Sequence, residues 1–576
     1  MRIPADTACW VFAAAVSTSA CLGRIGEPGD HAGGASGAPG VTTGGTTVCT
    51  DTPASAPTMG PRIRRLTKLE VRNTVADLFG DTVAQHVDPF QADPRPQGFS
   101  TGDERSVNPG YMDTLREVAL QIGQDFRRSF DKTKFATTCF ASDTSARDCA
   151  DPYLRDFGKR AYRRVLTDVD VAALFKVFDA GRATGADGDI TDRFAAGLQY
   201  TIVAALQSPE FIFRTELGPD AVASGSTITL TPLELASAIS YAVVASPPDA
   251  TLVDVAEKGQ LGKPDQVSEQ ARRLIASHSD RFRAQVQRFV LDWLGIDYDK
   301  PDWSNKDKTL YPNFSSAVRD ALEQETAMSI ADWASSGPFL PTLLTTSSGF
   351  ISQGNASVYG LTSTSMSFQK QAFDPKQRAG ILTSPGFLGT YAHTDSSSPV
   401  FRGVAIMRKL LCLEPPPVPA MVPPLPPIDM SSEVKTTRQR FDKHISIPFC
   451  NGCHKNIDPM GNVFESYDAV GAYRTEENGA PIDSSGGIVG SVSSDAQFGS
   501  AVDMLKALAK SADVHACFSR QVYRFSVGRI ETDADKCAIE SYTRAFTEKA
   551  FDLRELLAAI AASPAFSVRL AQSGAP

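Results

Sequence analysis

Apolar residues recur at helical spacing along most of the chain, so the sequence predicts a mainly α protein. Three segments begin alike, LTKLE from Leu66, LTDVD from Leu166 and LTPLE from Leu230. In each, the threonine can cap the first helical turn, and the acid three residues later can return a hydrogen bond to the cap. We therefore expect a helix to begin at each of these points.

Further helices are predicted over 110–130, 265–295, 313–335, 400–412, 500–511, 514–527, 533–548 and 551–562. Strand patterns are weak, and GGIVGSVS from Gly486 is the best of them. The proline-rich segment EPPPVPAMVPPLPPIDM at 414–430 cannot continue a helix, and it predicts an extended polyproline segment. A proline-rich recognition sequence is the alternative interpretation.

The N-terminus predicts an exported protein. Arg2 precedes an apolar run at 8–16 that is too short to span a bilayer, as in a signal peptide. The tripeptide SAC ending at Cys21 resembles a lipoprotein cleavage site, after which Cys21 would carry the lipid. A plain signal peptide and an unprocessed tail are the alternatives. The Gly/Ser/Thr/Pro-rich residues that follow, to position 58, predict a flexible tether.

Composition excludes some partners. The net charge is −9 over 576 residues, which provides no basic surface, so we expect no nucleic-acid partner. No apolar run of about 18 residues follows the signal, so the only predicted membrane attachment is the lipid.

One motif carries specific chemistry. The stretch FCNGCHKNIDPMGNVFESYDAVGAYR contains Cys450, Cys453 and His454 in the order C-x-x-C-H. Two thiols at this spacing can bind both vinyl groups of one haem, and the adjacent histidine can then serve as an axial iron ligand. Three alternatives stay open at this point: a structural zinc site, which usually needs four ligands, a redox dithiol, and ordinary disulfides.

A haem at this motif needs a second iron ligand or an open coordination position. The candidates for the second ligand are two histidines and four methionines: His393, His444, Met407, Met421, Met430 and Met460. For each histidine, a hydrogen-bonded surface or core position is the alternative interpretation. We interpret Met460 as core packing. Two strong ligands would favour electron transfer, whereas an open position would favour oxygen or peroxide chemistry.

Residues after the motif have two possible roles. Arg474 is a candidate for a contact with a haem propionate, and a salt-linked loop is the alternative. Arg378 and Arg402 are weaker candidates for the same contact. Asp458, Pro459 and Gly461 together predict a turn after the motif helix.

The other cysteines are expected to form disulfides in an oxidising compartment. Cys139 and Cys149 enclose a short loop and are predicted to pair. Cys517 and Cys537 begin two successive predicted helices and are also predicted to pair. This leaves Cys412 with Cys49.

The motif stretch resembles the cytochrome-like domain of a protein family found in planctomycetes and myxobacteria. Its members combine domains of unknown function numbered 1587, 1595, 1592, 1588 and 1585. Other segments are similar in the same order: PRIRRLTKLEVRNTVADLFGD from Pro61, FGKRAYRRVLTDVDVAALFKVFDAG from Phe157, LTPLELASAISYAVVASPPDATLVDVA from Leu230 and ACFSRQVYRFSVGR from Ala516. The resemblance implies an exported, haem-bearing helical protein and leaves its substrate open.

The sequence thus predicts several helical domains with a C-terminal cytochrome c-like helical haem unit. The predicted segments are a signal peptide at 1–21, a tether at 22–58, helical domains at 59–148, 150–218, 228–355 and 495–570, and the haem unit at 375–475. The predicted function is that of a periplasmic or outer-membrane c-type haem protein. It would act in electron transfer or in haem-dependent oxidation of an external substrate, with an unidentified redox partner. The alternative is a non-catalytic envelope protein that binds polysaccharide or another surface partner and has structural cysteines.

Overall fold

In the computed structural model, three helices begin directly after the threonine caps that the sequence predicts. The structure describes residue 49 and residues 59–102, 106–184, 188–219, 225–415, 434–446 and 448–571. Thr67 and Thr231 each form the reciprocal capping box with the glutamate three residues on. Thr167 and Asp170 exchange the same pair of bonds, at 2.7 and 3.2 Å. All three predicted helix starts are confirmed.

The N-terminal part is built from helices around an aromatic core. Phe194 lies at its centre, in ring contact with Phe130, Phe135, Phe140 and Phe178. The helices are α1 Lys68–Phe79, α2 Asp81–Ala84, α3 Pro109–Arg128, α4 Asp143–Tyr162, α5 Asp168–Thr184, α6 Ile190–Leu206 and α7 Pro209–Ile212.

The middle part is organised around one helix that is buried over nearly its whole length, α8. Seven helices form this part: α8 Pro232–Val244, α9 Ala250–Glu257, α10 Pro264–Ser277, α11 Ser279–Leu294, α12 Pro301–Ser304, α13 Ser316–Ala334 and α14 Phe339–Thr345. The single helix predicted over 265–295 is two helices, because the backbone of His278 leaves the helical conformation.

The C-terminal part contains the motif. Its helices are α15 Pro385–Thr390, α16 Pro399–Ala405, α17 Thr437–Ile445, α18 Pro448–Asn462, α19 Ala501–Leu508, α20 Ala512–Val527, α21 Lys536–Glu548, α22 Leu553–Ala561 and α23 Pro564–Ser567. Helix α16 runs directly into a π-helical turn at Ile406–Leu410. The predicted polyproline segment lies outside the described residues from position 416 onward.

Short strands pair two by two, and two of these pairs connect distant parts of the chain. The strands are β1 Arg62–Arg65, β2 Phe213–Glu216, β3 Thr227–Thr229, β4 Ser348–Ile351, β5 Gln369–Ala372, β6 Glu476–Glu477, β7 Ala480–Pro481, β8 Gly486–Ile488, β9 Ala496–Phe498 and β10 Val568–Leu570. Strand β1 pairs antiparallel with β2, and β10 pairs antiparallel with β3. The predicted strand near Gly486 is confirmed as β8, which pairs with β9.

The described residues from Cys49 onward form one compact unit. Its largest apolar core contains residues from Met59 to Phe566 and is shared by four of the five predicted domain segments. The residues of the segment 150–218 lie in two other apolar clusters. Among the described helices, none is long and apolar enough to cross a membrane. The predicted signal peptide, Cys21 and the tether apart from Cys49 lie outside the described residues.

The disulfides correct part of the predicted pairing. Cys139 pairs with Cys149, as the short loop predicts. The predicted bond between Cys517 and Cys537 is wrong. Cys517 pairs instead with Cys412, and Cys537 pairs with Cys49. Helix α20 packs against the π turn that precedes Cys412, and this tertiary contact brings the two cysteines together.

Candidate functional site

The three side chains of the motif lie on helix α18. Positions i, i+3 and i+4 of a helix share one face, so Cys450, Cys453 and His454 are neighbours there. Cys450 is buried, and the partly buried Cys453 packs against the main core. Both are single thiols, whereas the other six cysteines in the described ranges form three disulfides. Cys450 and Cys453 therefore form no disulfide in this structure, in contrast to the disulfide interpretation of the motif.

A buried carboxylate orients the histidine of the motif. His454 Nδ1 lies 2.9 Å from Asp458 Oδ1, one turn further along the helix. Asp458 is completely buried, and its hydrogen bond raises the pKa of His454 while partial burial opposes that rise. An ionised carboxylate can accept this bond only from a protonated Nδ1, and in that tautomer of the neutral ring Nε2 carries the lone pair that a metal would need.

The sequence analysis did not assign Asp458 this role. It assigned Asp458, Pro459 and Gly461 to a turn, and that prediction is wrong, because α18 continues through Pro459 to Asn462. The signal that could have found Asp458 is its spacing: an acid four residues after a histidine on a helix faces that histidine.

Tertiary contact keeps α18 helical beyond Pro459. At Gly461, an added Cβ would lie 1.8 Å from the carbonyl oxygen of Pro399 on α16. At Gly403 on α16, an added Cβ would lie 2.2 Å from the carbonyl oxygen of Ile457. The two helices therefore cross with their backbones in contact, which only glycine permits. Met460 is completely buried beside this crossing, in agreement with its predicted packing role.

Two buried arginines hold the loop that follows α18. Arg402 is fully buried and donates to the carbonyl oxygens of Phe464, Tyr467 and Asp468 at 2.9 to 3.0 Å. Arg378 donates to the carbonyl oxygen of Gly471 at 2.8 Å. These guanidinium groups satisfy main-chain carbonyls and thereby fix the path of the loop.

Arg474 has the partners of a salt-linked loop. Its guanidinium lies 3.0 Å from the carboxylate of Glu477 and 3.7 Å from that of Glu465. Glu477 also accepts the backbone N–H of Thr437 at 2.7 Å, at the start of α17. These contacts correspond to the second interpretation of Arg474, and contact with a propionate stays a prediction.

Glu465 is buried beside these arginines without a close ion pair. Ser397 donates a hydrogen bond to it at 2.9 Å, and its nearest guanidinium contacts are Arg474 at 3.7 Å and Arg402 at 3.9 Å. Burial raises the pKa of Glu465, and the two arginines only partly oppose that rise.

The two candidate distal histidines have different outcomes. His393 lies between α15 and α16, where its ring packs on that of Phe401 at 4.9 Å between centroids. Burial lowers its pKa, and its carbonyl oxygen accepts a bond from Lys306, whose own pKa burial lowers to about 7. These neighbours differ from those of His454. The side chain of His444 lies outside the part of the chain that the structure describes.

The donor set fits a covalently attached haem better than a metal ion alone. In the ranges that the structure describes, no three His, Cys, Asp or Glu side chains cluster as a metal ion requires. The zinc set left open by the sequence is therefore not assembled among those residues. Two single thiols and an adjacent imidazole are the groups that attach and ligate a c-type haem. In this structure, a buried carboxylate also orients the imidazole.

A second pattern in the sequence proves to be structural. The string GFSTG at 98–102 matches G-x-S-x-G, in which the serine of many hydrolases is exposed between a strand and a helix. Here Ser100 is buried and donates to the carboxylate of Asp292 on α11 at 2.5 Å. Asp292 also pairs with Arg95. This serine ties a loop to the core.

These observations define a mainly α protein with a C-x-x-C-H helix seated in its C-terminal part. Five family models match it in order, each described as a protein of unknown function: DUF1587 at 64–127, DUF1595 at 149–216, DUF1592 at 230–361, DUF1588 (PSCyt3) at 378–477 and DUF1585 at 494–566. The chain belongs to the family that combines these five domains. No curated protein and no solved structure matches it. The motif lies in the DUF1588 segment.

Proposed function

We propose that this protein is a c-type haem protein of the cell envelope, acting in electron transfer or in haem-dependent oxidation of an external substrate. The observation that carries the proposal is the pair of single thiols beside His454 on one face of α18, in a chain whose other described cysteines are all paired. When bound, the haem supplies a one-electron redox centre.

Each residue of the motif has a defined part. Cys450 and Cys453 would each add S–H across one vinyl group, which forms a thioether without any other reactant. His454 would ligate the iron through Nε2, since its Nδ1 is engaged by Asp458 at 2.9 Å. Burial of Cys450 and core packing of Cys453 hold both sulfur atoms on a rigid element, as a precise site requires.

The other cysteines support an oxidising compartment. Disulfides form and persist in oxidising compartments, and three of them link the described residues. Together with the signal-like N-terminus, they support export to the periplasm or outer membrane, with lipid attachment at Cys21. The name PSCyt3, carried by the family model over 378–477, also supports a cytochrome-like role for that segment.

The proposal is tested by the haem itself. The full chain is produced with a cytochrome c maturation system, extracted with acidified organic solvent and examined as its pyridine haemochrome. We expect haem to remain with the wild-type polypeptide and to be lost in Cys450→Ala and Cys453→Ala.

Asn451→Ala is the matched control, because this exposed residue lies between the two thiols and should leave the haem in place. Colourless wild-type protein, under conditions that mature a control cytochrome, would refute the proposal. It would then favour the alternative, a non-catalytic envelope protein that binds a surface partner.

A further inference from the structure

We infer that Asp458 is a positioning residue for the motif. Its carboxylate holds His454 in the tautomer with the proton on Nδ1, and it makes the imidazole a stronger electron donor at Nε2. The first effect concerns the protein alone. The second rests on the proposed haem function.

The geometry indicates that Asp458 and His454 form a fixed pair. Asp458 Oδ1 and His454 Nδ1 are 2.9 Å apart, and the two residues are one helical turn apart. Asp458 is completely buried, and the neighbouring residues Ile457 and Gly461 are in close contact with the backbone of α16. The carboxylate therefore has little freedom to leave the ring.

The second oxygen of Asp458 indicates that the carboxylate serves the histidine. Asp458 Oδ2 is buried, and among the described residues it has no hydrogen-bond partner. A buried oxygen left without a partner destabilises the folded state, and more so when the group is charged. An uncharged acceptor could satisfy the Nδ1 proton without this cost. The presence of a carboxylate at position 458, instead of an uncharged acceptor, is explained if its negative charge acts on His454.

A carboxylate behind a metal-binding imidazole has known physical consequences. It fixes the ring orientation and the tautomer, and it raises the basicity of the nitrogen that binds the metal. A more basic ligand stabilises the oxidised, more positive iron, so Asp458 is expected to lower the reduction potential of the bound haem.

Asp442 provides a matched control for charge. It lies on α17, which packs against α18, and the negative charge of Asp458 is among the causes that raise its pKa, after burial. Asp442 is exposed to solvent. Asp442→Asn therefore removes a nearby negative charge without touching the bond to His454.

The first test reads the tautomer in full-length protein made without the maturation system, with its fold verified by circular dichroism. Long-range ¹H–¹⁵N NMR of labelled histidine, at a pH where the ring is neutral, should show His454 protonated at Nδ1 in the wild type and in Asp442→Asn. In Asp458→Asn, whose amide can donate to Nδ1, and in Asp458→Ala, the tautomers should mix. An unchanged tautomer in both Asp458 variants would overturn the inference.

The second test reads the haem. In matured protein, spectroelectrochemical titration should give Asp458→Asn a higher midpoint potential than the wild type. We expect the reduction equilibrium to change by about tenfold, which is about 59 mV for one electron. Asp442→Asn should change it much less. Equal shifts in the two variants would contradict a specific action through His454.

The two tests separate the two proposals. Wild-type protein that takes up no haem would refute the proposed function, whereas the tautomer measurement would still decide the role of Asp458. A residue that only stabilised the helix would lower the melting temperature on substitution and leave the tautomer and the potential unchanged.

Discussion

Two buried glutamates, each surrounded by arginine, behave in opposite ways. Burial raises the pKa of Glu465, whereas the pKa of Glu216 is held well below its usual value. Both side chains are almost completely inaccessible to solvent. The presence of arginines beside a buried carboxylate therefore does not by itself determine the direction of the pKa shift.

The two clusters differ in the number of arginines and in their distance from the carboxylate. Glu216 accepts bonds from Arg62 at 2.6 Å, from Arg214 at 2.8 Å and from Arg569, and it lies 3.6 Å from Arg64. The nearest guanidinium groups to Glu465 are 3.7 and 3.9 Å away. Close, hydrogen-bonded arginines outweigh the cost of burying a carboxylate, while more distant ones do not.

The two clusters also have different positions in the fold. The Glu216 cluster joins β1, β2 and β10, and it thereby ties the first described strand to the last. The Glu465 cluster lies behind the motif helix, where Arg402 and Arg474 bind the loop after α18. The first cluster joins strands that are distant in the sequence, and the second fixes the loop that follows the motif helix.

The largest effect is expected at Glu216. Glu216→Gln leaves three buried guanidinium groups and that of the partly buried Arg62 without their shared negative charge. We expect a loss of about 3–5 kcal/mol in the free energy of unfolding, measured by urea denaturation. Asp254→Asn, which breaks an exposed ion pair with Lys258, should cost less than about 1 kcal/mol. Similar losses in the two variants would show that the Glu216 cluster stabilises the fold no more than an exposed ion pair does.

The helix crossing under the motif should be nearly as sensitive. Gly461→Ala would place a Cβ against the carbonyl oxygen of Pro399, so we expect a loss of about 3 kcal/mol through overpacking. Gly452→Ala is the matched control on the same helix, because its Cβ would meet nothing within 4 Å. Thermal unfolding compares the two. Equal melting temperatures would contradict the backbone contact between α16 and α18.

A smaller effect is expected at Glu465. In Glu465→Gln the amide oxygen can still accept from Ser397, and Arg402 keeps its main-chain acceptors. We therefore expect a loss of about 1 kcal/mol or less in urea denaturation. A loss as large as that in Glu216→Gln would mean that the two clusters are energetically alike, against the present interpretation.

The dependence of stability on pH should differ in sign between the two glutamates. The pKa of native Glu216 is lowered, so its contribution is complete above about 4.5 and is lost as the pH falls. The pKa of native Glu465 is raised, so the native state holds its proton more tightly, and stability falls as the pH rises above about 4.5.

These slopes can be measured separately. As the pH falls from 7 to 4, the stability advantage of the wild type over Glu216→Gln should shrink. Over the same range, the free energy of unfolding of the wild type should rise relative to that of Glu465→Gln. Urea midpoints along the pH series provide the comparison. Parallel curves for both variants would contradict the assigned directions of the pKa shifts.

Sequence reasoning succeeds where the cause is local. Thr67, Thr167 and Thr231 start helices through bonds within four residues, and Cys139 finds Cys149 ten positions away. Local bonds of this kind depend on the neighbouring residues alone, so the pattern is sufficient to predict them.

Sequence reasoning fails where tertiary packing determines the local structure or the disulfide pairing. The pairing of Cys412 with Cys517 requires α20 to pack on the π turn, which no spacing reveals. The turn predicted at Pro459 is replaced by helix because Gly461 seats α18 against α16. The C-x-x-C-H group could be found from sequence, but the arginines and Asp458 that support it acquire their roles only in the folded chain.

The most direct test of the central claim is a peptide map of the mature wild-type protein, denatured, treated with a thiol-alkylating reagent and digested with trypsin, before and after reduction. We expect the peptide containing Cys450 and Cys453 to carry the mass of a haem and no alkyl groups under either condition. Two alkylated thiols, or a disulfide that opens on reduction, would contradict a covalent haem at this helix.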